Sequence, residues 1–324
     1  MNRKIKITTL ISENFVWIIS ILLWIVAGVV NTTFFNYYNL INLLVHSVVL
    51  GLLVLGESLC FITGHFDLTI ESTLIFTALF AAWLISPDPL ASGWLVNPVL
   101  AIVLMLVVGT LIGMINGSLV AYLKMNPFIT TLAISIVLVG ISIFWCKGKS
   151  IYPLPDLFNW LGKKEIHSLP VSVIFLILTY IFFHVILTHT PFGRKLYAVG
   201  CNIDAARASG INVQLVIFFA YTLSGLLAAF SGWILAGRLN SASSHISTGL
   251  LLYVFAAAVI GGVSLSGGKG KSLGAFGGVL LLSSVNNLMN LSHVNAYLIQ
   301  ATTGMIILIA MFIDTMKERL LQSS

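Results

Sequence analysis

Residues 96–121 read VNPVLAIVLMLVVGTLIGMINGSLVA and contain no charged side chain. The hydrocarbon core of a bilayer is about 30 Å thick, and an α-helix rises about 1.5 Å per residue. About 20 mostly apolar residues are therefore enough to cross it. The length and composition of this stretch predict a membrane-spanning helix.

The same kind of stretch recurs along the chain of 324 residues, and ten spans are expected in all. Their predicted bounds are 15–34, 43–63, 67–86, 96–121, 127–145, 169–188, 214–236, 250–265, 272–290 and 293–313. Helices are expected because a backbone in lipid must pair its polar groups within the segment, and the sequence lacks the short alternating segments of a closed barrel. The predicted fold is an all-α polytopic membrane protein with a single transmembrane domain over 1–324.

The overall composition agrees with this fold class. Hydrophobic residues make up 58% of the chain, charged residues only 8%, and the mean hydropathy is +1.04. Ordinary soluble domains carry about 25% charged residues. A soluble fold of this size would need a more polar surface, so this class is excluded.

Lys and Arg residues lie almost entirely between the predicted spans. If the chain starts inside, eleven of the sixteen fall on the inside: Arg3, Lys4, Lys6, Lys124, Arg194, Lys195, Arg207, Lys269, Lys271, Lys317 and Arg319. This excess predicts a multi-pass protein of the bacterial cell membrane with both termini cytoplasmic. The net charge of +6 is thus explained by the orientation of the chain in the membrane, and no nucleic-acid partner is expected. Four lysines in the outward segment 146–168 are the exception.

Two connecting segments are long enough to have structure of their own. The outward segment 146–168 is predicted to form a short lid or an interfacial helix. In the inward segment 189–213, Arg194 and Lys195 follow an expected Pro and Gly turn. A short helix over Asn202–Ser209 is then expected, with Asn202 as N-cap and Gly210 as the stop. A short helix of small residues between two spans is suited to docking by a partner protein. An ordinary solvent-exposed connector explains the same sequence equally well.

Three segments resemble the permease subunits of bacterial ABC importers of the ribose and related monosaccharide type. They are HTPFGRKLYAVGCNIDAARASGINV at 189–213, AAAVIGGVSLSGGKGKSLGAFGG at 256–278 and GMINGSLVAYLKMNPFITTLA at 113–133. With the length and the number of spans, the resemblance covers nearly the whole chain.

The resemblance implies a division of labour among several proteins. Such a permease forms a homo- or heterodimer, receives solute from an extracytoplasmic binding protein and is driven by a cytoplasmic ABC ATPase subunit. The implied ATPase-coupling residues lie in the segment 189–213: Arg194, Gly200, Asn202, Ala205, Ala206, Ser209, Gly210 and Ile211. No cofactor is expected on this chain, because ATP and Mg²⁺ would bind the ATPase subunit. The family also implies an inverted repeat of spans 2–5 and 7–10.

Two segments depart from the family pattern. The usual Ser-Gly-Gly-Ile-Asp-Leu-Ser-Val-Gly-Ser is replaced at 63–72 by a stretch in which His65 and Glu71 take the place of glycines. At 249–257, the two acidic residues of the usual Gly-x-Glu-Leu-Asp-Ala-Ile-Ala-Ala become Leu251 and Tyr253. These changes leave the usual substrate or transport cycle open to question.

A nucleotide site on the chain itself is not expected. Gly270, Lys271 and Ser272 imitate the end of a phosphate-binding loop, but the position of its first glycine is occupied by Leu265. The glycines around residue 268 are instead predicted to form a tight turn. No catalytic residue is assigned, since the sequence shows no metalloprotease or serine-hydrolase motif. Cys60, Cys146 and Cys201 are interpreted as small core residues, and no metal site is expected from them or from the scattered histidines.

Polar residues within the predicted spans are candidates for the substrate path. They are Glu57, Asp67, Asn116, Phe128, Asn286 and Asn287, the phenylalanine being included for its place at the start of a span. An ionisable group at membrane depth is costly and usually faces a cavity or a partner. The alternative for Asp67 is a helix cap, and for the asparagines it is hydrogen bonding between helices.

Small residues recur at helical spacing in two spans, at Gly109, Gly113 and Gly117 and again at Gly225, Ala229, Gly232 and Ala236. Such patterns allow helices to approach closely. We expect this close packing within one helix bundle more than at the interface of a dimer.

Three functional classes are compared. An ABC importer permease is favoured, and it predicts transport only with an ATPase. An ion-coupled secondary transporter would instead use Glu57, Asp67 or Glu71 and need no ATPase. An intramembrane enzyme is disfavoured because no paired catalytic groups are present.

Overall fold

The computed structural model describes residues 15–247, 249–295 and 297–299, and beyond them 301, 302, 304–306, 308, 309 and 312. The helices are α1 (Phe15–Val30), α2 (Tyr37–Ile62), α3 (Ile70–Ile85), α4 (Pro98–Ala121), α5 (Pro127–Cys146), α6 (Asp156–Lys163), α7 (Val171–His189), α8 (Pro191–Cys201), α9 (Ile203–Ala208), α10 (Val213–Leu239), α11 (Leu250–Ile260) and α12 (Ser272–Leu291). Strands β1 (Glu165–Ile166) and β2 (Leu169–Pro170) form a small antiparallel hairpin. Helical residues also occur among the described positions after 297.

Six of these helices are long and apolar enough to cross a membrane, namely α2, α4, α5, α7, α10 and α12. Three shorter apolar helices, α1, α3 and α11, match the other predicted spans up to residue 290. The tenth predicted span, 293–313, falls largely outside the described residues. The chain is therefore an all-α polytopic membrane protein, with six full-length candidate spans among its described residues.

Three predicted spans are clearly shorter than the sequence indicated. The predicted span 15–34 ends at Val30. The predicted span 67–86 begins only at Ile70, because residues 63–69 form an irregular turn. The predicted span 250–265 ends at Ile260, where Gly261 and Gly262 leave the helix and Gly262 takes φ +82°. Hydropathy alone could not locate these ends, since the flanking residues are also largely apolar.

The two longest helices form the centre of the bundle. Of the apolar window in each helix, 83% is buried in α2 and 61% in α10, against 22% in α5 and 28% in α4. The helix α10 packs against α2, α3, α4 and α6. The helices α4 and α5 therefore present more of their surface outward.

The helix pairs repeat between the two parts of the chain. The helix α2 packs on α12 as α10 packs on α4, and α2 contacts α11 as α10 contacts α3. In the same way, α3 packs on α4 and α11 packs on α12. The short helices α3 and α11, here called the two broken helices, thus occupy comparable positions next to the central helices α2 and α10.

The two ends of the bundle carry different connections. At one end, here called the α9 end, lie α8 and α9, the C-terminus of α2 and the turn 261–271. At the other end, here called the α6 end, α6 packs on the C-terminal part of α10. The segment before α6 is joined to α10 there, since Asn240 Oδ1 accepts hydrogen bonds from Leu154 N at 3.1 Å and from Asn159 Nδ2 at 2.6 Å. The predicted short helix in 146–168 is confirmed as α6.

The small residues of α4 and α10 lie against each other. A Cβ added at Gly109 would lie 2.5 Å from the Cβ of Ala229 and 2.8 Å from Gly225 O. A Cβ at Gly113 would collide with Tyr221 O. The interpretation of these glycines as close-packing positions within one bundle is confirmed.

We expect the Gly113→Ala substitution to lower the free energy of unfolding by about 1–3 kcal/mol, because the added methyl group meets backbone and forces α4 and α10 apart. The matched control is Gly140→Ala, where a Cβ would meet nothing within 4 Å. Thermal unfolding of the detergent-purified variants, followed by tryptophan fluorescence, measures the difference. Equal midpoints for the two variants would contradict this packing.

Candidate functional site

A buried polar network joins four helices around the irregular turn 63–69. Glu57 Oε1 accepts a hydrogen bond from Asp67 N at 3.1 Å, and Ser224 Oγ donates to Asp67 Oδ2 at 2.8 Å. Thr69 N donates to Asp67 Oδ1 at 3.0 Å. Thr69 Oγ1 in turn accepts from Asn116 Nδ2 at 2.6 Å. Glu57, Asp67 and Asn116 are all fully buried.

Further contacts hold the backbone of this turn. Thr131 Oγ1 on α5 accepts from Leu68 N at 3.1 Å, and Tyr221 Oη on α10 donates to Phe66 O at 2.7 Å. The turn therefore has partners on α2, α4, α5 and α10, which satisfy polar groups that no regular helix pairs here. This is what a non-helical segment inside the membrane requires. The alternative expected for Asp67, a cap of α3, is wrong, because the N-cap is Thr69 and has no side-chain capping hydrogen bond. Asp67 instead orders the turn before α3.

The six residues predicted for the substrate path lie in three places. Glu57, Asp67 and Asn116 come together in the network just described. Phe128 is 52% exposed at the start of α5. Asn286 and Asn287 lie on α12, where Asn287 exchanges two side-chain hydrogen bonds with Asn39 near the start of α2. Asn39 and Glu57 are about 27 Å apart along α2, at about 1.5 Å per residue, so these residues do not form one site in this conformation.

Glu71 connects the two broken helices. Its carboxylate accepts hydrogen bonds from Leu250 N at 3.3 Å and from Leu251 N at 3.0 Å. These are the first N–H groups of α11, which have no partner within that helix. A side chain from the first turn of α3 therefore caps the N-terminus of α11.

A cavity of about 350 Å³ opens beside this contact. Its lining is contributed by α3, α5 and the segment leading into α11: Leu68, Glu71, Ser72, Ile75, Ser135, Val139, Ser244, His245, Gly249 and Leu251. Sequence analysis singled out Glu71 but not Ser135, Ser244 or His245. The feature that could have pointed to these residues is the pair of short apolar helices α3 and α11, whose N-termini meet at the cavity.

An aromatic stack packs α3 against α5 on the side of the cavity nearer the α6 end. Trp83 and Trp145 lie face to face, with ring centroids 5.5 Å apart and an interplanar angle of 9°. Phe76 and Phe80 stack on Trp145 at 5.3 and 6.0 Å. Stacked pairs of this kind contribute beyond their buried area, so they fix the distance between two helices that border the cavity.

The segment 189–213 forms two helices at the α9 end. The expected turn at Pro191 and Gly193 is wrong: both residues lie in the first turn of α8, where Thr190 Oγ1 accepts from Gly193 N at 3.3 Å. Proline is favoured at that position because the first N–H groups of a helix need no partner inside it. Arg194 is exposed on α8.

The local structure predicted around α9 is confirmed. Asn202 Oδ1 accepts from Ala205 N at 2.9 Å, and Gly210 ends the helix with φ +77°. Ala205, Ser209 and Gly210 are exposed, and Ile211 is half-buried. Ala206, in contrast, is buried at 4% exposure, so it holds α9 on the bundle instead of presenting a surface.

Gly200 forms a close junction between α8 and the rest of the bundle. A Cβ at this position would collide with Ile62 O and Gly268 N, two atoms that are themselves joined by a 2.9 Å hydrogen bond. Gly267, Gly268 and Gly270 all have positive φ, which confirms the predicted tight turn. Gly200 is therefore a packing position that ties α8 to the end of α2 and to this turn.

Two neighbouring side chains complete the junction. Tyr197 Oη donates to Gly270 O at 2.7 Å, and burial raises the pKa of Tyr197, so its hydroxyl remains a donor at neutral pH. Cys201 contacts Gly268 O through its sulfur at 3.6 Å. Its interpretation as a core residue is wrong, because it is exposed, whereas Cys60 and Cys146 are buried.

Interrupted spans and a buried polar turn within a helical bundle are typical of the class of polytopic transport proteins. The model of the family described as "branched-chain amino acid transport system / permease component" matches residues 39–313, and the chain belongs to this family. No solved structure matches the chain.

Curated relatives align over nearly their whole length. The chain is 38% identical to the ribose import permease protein RbsC of Bacillus subtilis (strain 168), over 92% of this chain and 91% of the relative. It is 33% identical to RbsC of Escherichia coli (strain K12), over 90% of each chain. It is 30% identical to the galactose/methyl galactoside import permease protein MglC of Escherichia coli (strain K12), over 98% of each.

We expect Glu57→Leu to lower the free energy of unfolding by about 1–3 kcal/mol, because it leaves the buried Asp67 N–H without an acceptor. Glu57→Gln retains an oxygen for that N–H and should lose less. Thermal unfolding of both variants in detergent provides the comparison. If the leucine variant is as stable as the wild type, the network does not hold the turn 63–69.

Proposed function

We propose that the chain is the permease subunit of an ATP-driven ABC importer for a monosaccharide or a related small polar solute. The observation that carries this proposal is the similarity, over at least 90% of both chains, to relatives named ribose import permease and galactose/methyl galactoside import permease. The family description names branched-chain amino acids, but these relatives are named for sugars and cover the chain more completely.

The partners follow from the class. A separate ABC ATPase subunit binds and hydrolyses ATP with Mg²⁺, an extracytoplasmic binding protein delivers solute, and a second permease completes a homo- or heterodimer in the lipid bilayer. In the described residues, the surface best suited to the ATPase is formed by α9 and the adjoining α8. Its exposed residues on this capped and well-packed segment are Arg194, Asn202, Ala205 and Ser209.

The fold supports the inverted repeat of spans 2–5 and 7–10. The matching helix pairs α2–α12 and α10–α4, and the two broken helices α3 and α11 in comparable positions, support this arrangement. Such repeats place the translocation path between the halves. About ten spans, with both termini cytoplasmic in the bacterial cell membrane, complete the proposed topology. The α9 end then faces the cytoplasm.

The coupling route runs from α9 through the Gly200 junction. A movement of α9 displaces α8, and the close contact of Gly200 with Ile62 and Gly268 transmits it to the end of α2. Glu57 lies about one and a half turns before that end and is bonded to Asp67. The turn 63–69 is therefore the element that nucleotide-driven closure of the ATPase pair rearranges, giving alternating access to the path.

We expect Ala205→Arg to reduce ATP-dependent uptake of D-ribose at least tenfold without lowering thermal stability, because the side chain projects from the exposed face of α9. Ala205 is a better test than Ala206 or Gly210, since Ala206 is buried and Gly210 has a positive φ. Uptake is measured in proteoliposomes containing the complete transporter. Ser150→Arg, an exposed change at the α6 end, is the matched control.

Uptake at the wild-type rate by Ala205→Arg would contradict docking at α9. Uphill uptake by the purified chain alone, driven by a proton or sodium gradient, would instead favour the secondary transporter.

We expect Gly200→Ala to abolish uptake while the ATPase subunit still co-purifies with the complex, because the added methyl group disturbs the junction behind the docking surface. Gly140→Ala again serves as the control. If Gly200→Ala transports within twofold of the wild-type rate, this junction is not part of the coupling route.

A further inference from the structure

The cavity beside Glu71 lies where two interrupted helices begin. The helix α11 has 11 residues and α3 has 16, which corresponds to about 16 Å and 24 Å of rise, less than the hydrocarbon core of about 30 Å. Neither helix is long enough to cross the core by itself, and the first residues of both line or border the same cavity. Short or interrupted segments at corresponding positions of two halves point to a solute site.

The cavity has polar groups available for a ligand. Ser244 lines it and is only 2% exposed, yet its hydroxyl has no hydrogen-bond partner among the described residues. A buried hydroxyl without a partner is costly, so a ligand or water is expected to satisfy it. Ser135 on α5 contributes a further hydroxyl group, and Ser72 Oγ on α3, which donates to Thr69 O at 2.9 Å, retains its capacity to accept.

The charges around the cavity disfavour an anionic ligand. The N-terminus of α11 carries a partial positive charge, and the Glu71 carboxylate already occupies it through the N–H groups of Leu250 and Leu251. An anionic ligand would be repelled by that carboxylate, whose full negative charge exceeds the partial charge of the helix end. Hydroxyl groups can instead donate to the free lone pairs of Glu71 and exchange hydrogen bonds with the serines.

The size of the cavity agrees with a small ligand. A volume of about 350 Å³ lies at the lower end of the range of about 300–1,000 Å³ found for small-molecule sites. Leu68, Ile75 and Val139 add apolar surface to the lining beside the polar groups, which suits a sugar ring with one less polar face.

We propose that the cavity between α3, α5 and the start of α11 is a solute-binding station for a neutral polyhydroxylated molecule, with Glu71, Ser135 and Ser244 as its polar contacts. This rests on the proposed transport function and adds the place of contact and the exclusion of anionic solutes. A few hydrogen bonds in a partly open cavity permit release after binding, as a transport path requires.

Filling the cavity tests the proposal directly. We expect Ser135→Trp to reduce D-ribose and D-galactose uptake at least tenfold in proteoliposomes with the complete transporter, while ATP hydrolysis stays within twofold of the wild type. The control is Ile136→Trp, the next residue of α5, which is 66% exposed and does not line the cavity. Wild-type uptake by Ser135→Trp would overturn the proposal.

A labelling experiment covers the case in which the tryptophan variant does not assemble. In a background with the exposed Cys201 replaced by serine, we expect Ser135→Cys to react with a water-soluble cationic thiol reagent, and D-ribose or D-galactose to slow this reaction severalfold. Ile136→Cys should react at least tenfold more slowly, and no sugar should change its rate. A Ser135→Cys that is unreactive, or equally reactive with and without both sugars, would overturn the proposal.

The two proposals fail in different ways. A complete wild-type transporter that takes up neither sugar would contradict the proposed function, and it would do so whatever the labelling shows. A transporter that takes up sugar normally with the cavity filled would contradict only the binding station.

Discussion

The constraint on which this structure depends is that backbone polar groups inside a bilayer must find partners within the protein. A regular helix meets this constraint through its own backbone hydrogen bonds and needs no side-chain partner. Most of the chain meets it in this way. Two exceptions among the described residues are the turn 63–69 and the start of α11. The first is paired by Glu57, Thr131 and Tyr221, and the second by Glu71. The positions of Glu57 and Glu71 are thus explained by two interruptions of the helices.

These interruptions also connect the parts of the molecule that transport would have to coordinate. The turn 63–69 follows the end of α2, which meets Gly200 of α8 at the α9 end, and it leads into the helix that carries Glu71. A close contact between backbones at Gly200 allows little independent movement, because no flexible side chain lies between them. In the proposed coupling route, a displacement at α9 would therefore reach the network and the cavity through a short series of packed elements.

The two departures from the family pattern prove to be neighbours. The glutamate that replaces a glycine at 71 accepts a hydrogen bond from the backbone of Leu251, one of the positions at which the family pattern has an acidic residue. Phe66 and Phe255, on the same two segments, have ring centroids 6.2 Å apart. A carboxylate is thus present at the start of α11 in this chain as well, but it is supplied from α3. Two changes that seemed separate along the sequence form one altered contact.

The sequence by itself determined the fold class, the positions of six helices long enough to cross a membrane and of three shorter apolar helices, with ends displaced by up to about six residues, the cap at Asn202 and the close packing of the glycines in α4 and α10. These depend on hydropathy, local hydrogen bonding and side-chain size, all of which act over a few residues. Only the tertiary structure decided that Glu57, Asp67 and Asn116 share one network, that Ala206 is buried, and that Ser135 and Ser244 line a cavity with Glu71. These relations join residues as many as 180 positions apart, and no local pattern encodes which faces of distant helices meet.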